Sequence, residues 1–241
     1  MSRLSKALSV VGLTLAVTFT LFASAQTTQA QQRGGANAPA TKNASPSSIP
    51  MGGNKSVTRF FVTSEGLGKG GDLGGLAGAD AHCQALAQAQ GAGDHTWRAY
   101  LSTEATATSP AVNARDRIGA GPWYNSSGDL IVPNLAGLHG SQSKLTKETA
   151  VTEIADEVSP EAHEILTGSR PDGTAFRGNA LRTCNNWTSS GAGSAQVGYS
   201  DRVGKGDNPN SWNSAHPTSG CSEEAFRKSG GAGLLYCFAI D

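Results

Sequence analysis

Four cysteines, five histidines and a crowded run of carboxylates are the side chains through which this 241-residue chain could do chemistry. Cys83, Cys184, Cys221 and Cys237 are even in number and widely spaced. No C-x-x-C pair is present to serve a redox couple or a zinc ribbon, so they read as two disulfides, with all three connectivities open. A catalytic thiol would leave one cysteine unpartnered. His82, His95, His139, His163 and His216 stand singly, without the H-x-H or H-x-x-x-H spacing that turns two imidazoles onto one metal. Glu148, Glu153, Asp156, Glu157, Glu161 and Glu164 crowd one segment. Paired carboxylates hydrolyse glycosidic bonds when they flank a cleft, which makes Glu153, Asp156 and Glu157 the basis of a hydrolase alternative. On an amphipathic segment, such a run is a solvated face. No G-x-S-x-G elbow or H-E-x-x-H motif supplies a nucleophile or a metal. Gly66-Leu67-Gly68-Lys69-Gly70-Gly71 fits G-x-G-x-x-G, with Asp94 near the ribose-binding spacing. The helix that follows begins several residues beyond Gly71, too late for its N-terminus to meet a pyrophosphate, and further βαβ units are missing. The stretch reads as a glycine turn.

The elements that must position these residues follow from pattern. Arg3 and Lys6 precede an apolar run of about 16 residues, and Ala23-Ser24-Ala25 offers a small-x-small cleavage site, so residues 1–25 read as a secretory signal. Residues 26–56 are Gln, Ala, Gly, Ser, Pro and Asn with almost no large apolar side chain, a composition expected of a disordered linker. The folded unit is expected over 57–241, a length suited to one domain. Val57 to Thr63 and Trp97 to Leu101 read as strands. Leu76, Ala79, Cys83 and Leu86 fall on one face of a helix over about 76–90, which turns Cys83 into the core. Leu145 to Leu166 is acidic and weakly helical in period, and Gly233 to Ala239 is a short buried strand. The class is α+β: one main helix near the N-terminus, short strands and long loops pinned by the disulfides. The chain carries 19 basic and 19 acidic residues, and removing Arg3 and Lys6 leaves a net charge of about −2. With its cations scattered singly, nucleic acid is not expected as a partner. Nothing after the signal is apolar enough to insert in a membrane, and the location implied is secreted or periplasmic.

Read together, several motifs carry a family resemblance. Gly78-Ala79-Asp80-Ala81-His82-Cys83 leads into Arg98-Ala99-Tyr100-Leu101-Ser102; then come Gly168-Ser169-Arg170-Pro171-Asp172-Gly173, Cys184-Asn185-Asn186-Trp187, and Leu235-Tyr236-Cys237. In this order they resemble endostatin, the C-terminal domain of certain animal collagens, over nearly all of 57–241. The resemblance implies a C-type-lectin-like fold and the pairs Cys83–Cys237 and Cys184–Cys221. It also aligns the chain with bacterial secreted proteins described as lectin-like. The endostatin zinc site does not carry over, because no histidine precedes His82, and the arginine clusters behind its heparin affinity are missing. Arg115 and Arg117, on either side of Asp116, are read as loop anchors.

Calcium-dependent lectins hold the ion with an x-Pro-x and a W-N-D motif, since hard cations want several oxygen ligands. Here Arg170-Pro171-Asp172 and Trp212-Asn213-Ser214 stand in the same order, but Arg170 and Ser214 remove two of those oxygens. No cofactor is expected, calcium included. The loop between Cys184 and Cys221 remains the expected ligand surface, because aromatic rings beside amides and carboxylates suit sugars. Trp187 is assigned to the core. Trp212, Asn210, Asn213, Tyr199 and, across the x-Pro-x turn, Asp172 are the candidate ligand contacts. The chain is thus expected to be a non-catalytic binding module for a glycan or a cell-surface or matrix component. The alternative is a structural or adhesion domain that binds protein.

Overall fold

The computed structural model describes residues 55–178 and 180–241; the signal and all but the last two residues of the linker lie outside the described residues. The chain is already tied down at its first described positions. Lys55 pairs with Asp241, and the Ser56 carbonyl accepts from His95 Nε2 at 2.8 Å.

The architecture is α+β. A six-stranded sheet is built around β8 (Gly231–Ala239), with β1 (Phe60–Val62) along one edge and β5 (Glu164–Leu166) then β2 (Trp97–Ala99) along the other. Beyond β5 lie β6 (Gln196–Tyr199) and β7 (His216–Pro217). β5 runs parallel to β8; the other ladders are antiparallel. A separate hairpin joins β3 (Trp123–Tyr124) to β4 (Leu130–Val132).

Side chains alternate across a strand, and β8 spends both faces on core. Leu235, Cys237 and Ala239 join Phe61, Trp97, Leu101 and Trp187 beside helix α1 (Gly75–Ala89). Leu234, Tyr236 and Phe238 join Phe60, Tyr100, Trp123, Ile131 and Trp212 on the other face. Ala79, Cys83 and Ala87 are the buried stripe of α1, at helical spacing. The disulfides are Cys83–Cys237, binding α1 to β8, and Cys184–Cys221, with Cα separations of 5.6 and 5.7 Å. No helix among the described residues is long and apolar enough to cross a membrane.

Two segments depart from the sequence reading. Leu145 to Leu166 forms no α-helix. It holds a turn at 146–150 and bridges at Val151 and Thr152, then a 3-10 turn at Pro160–Ala162 and β5. β-Branched Val151 and Thr152 favour extended backbone, and Pro160 starts a turn rather than continuing a helix. Conversely, Glu223–Ser229 is a helix the apolar period did not mark. Its ends do mark it: Ser222 Oγ accepts from Ala225 N, Glu223 and Glu224 open it, Arg227 and Lys228 close it, and Gly230 stops it at φ 112°.

Cys184–Trp187 is a single turn of left-handed helix, with φ of 47°, 56°, 54° and 67° at four consecutive non-glycine residues. Each such residue costs about 1–2 kcal/mol. Three attachments hold the turn in place. Cys184 is disulfide-bonded, the Asn186 side chain bonds both the N–H and the carbonyl of Glu104, and the buried Trp187 indole donates to the Ser102 carbonyl at 2.8 Å.

Candidate functional site

The x-Pro-x and W-N-x motifs do meet in space, but as a buried knot. Asn213, 1 % exposed, directs its amide nitrogen at the carbonyls of Arg170 (3.1 Å) and Pro171 (3.2 Å) and at the Tyr100 hydroxyl (3.0 Å). A side-chain amide thus gathers the oxygens of this turn. Tyr100 in turn donates to His139 Nε2 at 2.7 Å, and His139 Nδ1 donates to the Leu135 carbonyl. Trp212, 4 % exposed, lies against Tyr100, Tyr236 and His139 with ring centroids 4.8, 5.3 and 5.8 Å away. Trp212 and Asn213, two of the five side chains expected to contact ligand, are therefore core groups. Asp172 is exposed and spends Oδ1 on Thr174 N and Oγ1, closing its own turn. Asn210 is exposed on a shallow cleft shared with Pro171 and Asp207. Trp187 is fully buried, in the core as read.

Tyr199 alone of the five borders a well-formed pocket, of about 660 Å³, together with His163, Glu164, Val203, Gly204, Lys205, Gly206, His216 and Ser229. Sheet register builds it: Glu164 opens β5 directly opposite Tyr199 on β6, and Val197 on β6 faces His216 on β7. The 3-10 turn capped by Ser159 delivers His163 to the same rim. The Tyr199 ring is in contact with both imidazoles, at 4.9 Å from His163 and 5.5 Å from His216. Its hydroxyl donates to the Lys205 carbonyl and accepts from the Lys205 N–H, which folds the 203–206 loop over the ring. A Cβ on Gly204 would lie 2.0 Å from a Tyr199 ring carbon, so only glycine permits that approach. Arg202 anchors the preceding turn, donating to the Leu145 carbonyl and to Ser143 Oγ.

Each imidazole has its own carboxylate. His163 Nδ1 donates to Asp201 Oδ2 at 2.9 Å, and its Nε2 has no protein partner among the described residues. His216 Nε2 donates to Glu164 Oε1 at 3.0 Å while Nδ1 donates to the Pro217 carbonyl. An acceptor at both nitrogens favours the protonated imidazole of His216. Glu164 is 2 % exposed, and its second oxygen, Oε2, has no hydrogen-bond partner. A buried carboxylate oxygen left open is costly, and such groups ordinarily find a donor.

The two buried-side histidines respond to pH in opposite senses. The Glu164 carboxylate raises the His216 pKa above its ordinary 6.5, so this pair stabilises fully below that value and fades as pH climbs through the raised one. Burial lowers the His139 pKa below 6.5, so its neutral, Tyr100-bonded form stabilises fully above that value and fades as pH falls through the lowered one. Urea midpoints measured from about pH 8 to pH 5 should pass through a maximum, and His139→Gln should flatten the acid side. A wild-type midpoint that keeps rising down to the acid end would contradict the His139 assignment.

The remaining sequence candidates have local duties. Glu153 is buried and accepts from Ser64 N and Oγ, whereas Asp156 and Glu157, the latter paired with Lys147, line a separate pocket of about 650 Å³ together with Glu65 and Glu223. Arg117 bonds Asp80 and the Ala99 carbonyl, and Arg115 the Asp172 carbonyl. In the glycine motif, a Cβ on Gly66 would meet the Ala232 carbonyl at 2.4 Å and one on Gly71 would meet the Cys184 side chain at 2.5 Å. Those glycines let the loop press against β8 and a disulfide. Among the described residues no group of three or more His, Cys, Asp and Glu side chains is placed to hold a metal ion. No protein-family model matches the chain, and no curated protein matches its sequence.

Proposed function

We propose that the chain is an exported, non-catalytic binding module of the C-type-lectin-like kind that takes a glycan of a cell surface or matrix in the His163–Tyr199–His216 pocket. The observation that carries this reading is the Tyr199 ring at a pocket lined by two imidazoles, His163 and His216, each bonded to its own carboxylate. An aromatic ring flanked by imidazoles and a carboxylate suits a sugar, whose apolar face lies on the ring and whose hydroxyls bond the polar groups. Support for the fold comes from the α+β architecture and from disulfides that join the main helix to the last strand and pin the loop before it. Both disulfides, and a leader of secretory type, support export.

The test is a glycan array with wild type and Glu164→Gln, run with and without EDTA, alongside thermal unfolding of both proteins. Wild type should bind a discrete glycan set regardless of EDTA. Glu164→Gln breaks the buried His216 pair and should lower stability; compared at temperatures where it stays folded, it should bind roughly tenfold to a hundredfold more weakly, the worth of a hydrogen bond to a charged group. Absence of any glycan binding, or a variant that binds as well as wild type, would overturn the reading.

A further inference from the structure

The cavity of about 650 Å³ that holds Asp156 and Glu157 shares no lining residue with the His163–Tyr199–His216 pocket. A tight hairpin makes one of its walls: Val151 bridges Glu157, and the Thr152 N–H donates to the Asp156 carbonyl, so the tip carries Ile154, Asp156 and Glu157 together. The loop after β1 adds Glu65, and the helix Glu223–Ser229 adds Glu223 and Arg227 from one face. Leu234 and Val158 are buried in the lining, with Ala162 and Ala232 half-buried beside them. Ile154 lines the same cavity and is 49 % exposed, one of four large apolar side chains left open among the described residues.

We infer that this cavity docks a basic segment of a partner protein, with the aliphatic stem of an arginine or lysine on its apolar side and the cationic head among its carboxylates. The charge is one-sided. Four carboxylates stand against a single lining cation, Arg227, whose guanidinium is 3.0 Å from Glu223. Lys147 reaches Glu157 from outside the lining, at 3.2 Å. Glu65 and Asp156 have no ion-pair partner among the described residues. Nor are the four gathered round one point, since among the described residues no three acidic, histidine or cysteine side chains are placed to hold a metal ion. Carboxylates spread around an apolar hollow suit positive charges spread along a chain. Arginine and lysine side chains supply both parts, a long apolar stem and a charged tip. Nucleic acid or an anionic lipid headgroup would meet repulsion from the same rim. Exposed ion pairs are weak one by one, so the affinity rests on several of them together with the apolar contact. The inference does not depend on the glycan reading.

Two model peptides test it: acetyl-Gly-Arg-Leu-Arg-Gly-amide, and the same peptide with citrulline for each arginine, which keeps the shape and removes the charge. Each is titrated into the folded protein and followed by the NMR shifts of backbone amides. The arginine peptide should move amides within 64–68 and 152–159, with an affinity that falls at least about threefold between about 20 and about 150 mM NaCl. The citrulline peptide should bind at least about fivefold more weakly. Glu65→Gln with Asp156→Asn, both at exposed side chains, should weaken the arginine peptide by about three- to tenfold, and Arg227→Gln should tighten it by about twofold. Ile154→Ser should weaken it by about two- to fivefold at either salt concentration. Equal binding of the two peptides would overturn the charge argument. Shifts at His163, Tyr199 and the 203–206 loop instead would move the basic segment to the other pocket and overturn this site. Spermine binding as tightly as the arginine peptide would make the site one for a small polyamine, not for protein. No amide shift at up to about 5 mM peptide would overturn the inference outright.

Discussion

Replacing Cys83 and Cys237 together by alanine is expected to lower unfolding stability by about 5 kcal/mol, the chain-entropy value for so long a closed loop. The two residues are 154 apart in sequence, and both are fully buried where α1 meets β8. Free of its tether, the unfolded chain gains the configurational freedom that the bond removes, and the packed core loses two sulfurs. Because single domains are stable by only about 5–15 kcal/mol, this variant should be largely unfolded at physiological temperature. The bond across Cys184 and Cys221 spans only 37 residues and would contribute about 4 kcal/mol by the same reasoning. Its removal should cost less than that, because freeing Cys184 lets the left-handed turn relax toward ordinary backbone. Denaturant unfolding of the two double variants checks the order. A smaller loss from Cys83/Cys237 than from Cys184/Cys221 would contradict it.

Trp212→Ala should cost about 3–5 kcal/mol, as expected for an indole removed from a core that cannot fully close around the space. The ring touches Tyr100, Tyr236 and His139, so the cavity would open beneath the Asn213 knot and loosen the Tyr100–His139 bond. Trp212→Phe should retain more than half of the loss. The informative comparison is with binding. At temperatures where the variant remains folded, its glycan affinity should match wild type, whereas Glu164→Gln should weaken binding even where it remains folded. A Trp212→Ala protein of normal stability with abolished binding would return Trp212 to the ligand surface.

These two tryptophans show where sequence reading stops. Trp187 and Trp212 both sit among Asn, Ser and Thr, yet Trp187, three residues after a cysteine, reads as core while Trp212 reads as a ligand contact. What buries Trp212 is Tyr100 and Tyr236, brought over it by β8 pairing and by the chain leaving β2. Short-range pattern carries no trace of that. By contrast, the periodic stripe through Ala79 and Cys83 announced α1 within one residue at each end, and the apolar run before Phe238 announced β8. Tyr199 was legible as an aromatic in a polar loop, but its neighbours were not. His163 and His216 stand 53 positions apart and looked like isolated histidines until β5, β6 and β7 aligned them. Glu164 was one carboxylate in a crowded acidic run. Only the register that places it opposite Tyr199 separates it from its solvated neighbours.

β8 comes after every strand it pairs with, and its partners reach back as far as Phe60. A chain emerging with its N-terminus first can pair β5, β6 and β7 but cannot join β1 and β2 to them until residues 231–239 are free. Nor can Cys83 find its native partner before Cys237 arrives, so any earlier oxidation joins it to Cys184 or Cys221. High contact order of this kind makes folding slow and late. Until β8 arrives, β1 and β2 wait without a partner strand, and the six-stranded sheet is completed only by the last strand to arrive.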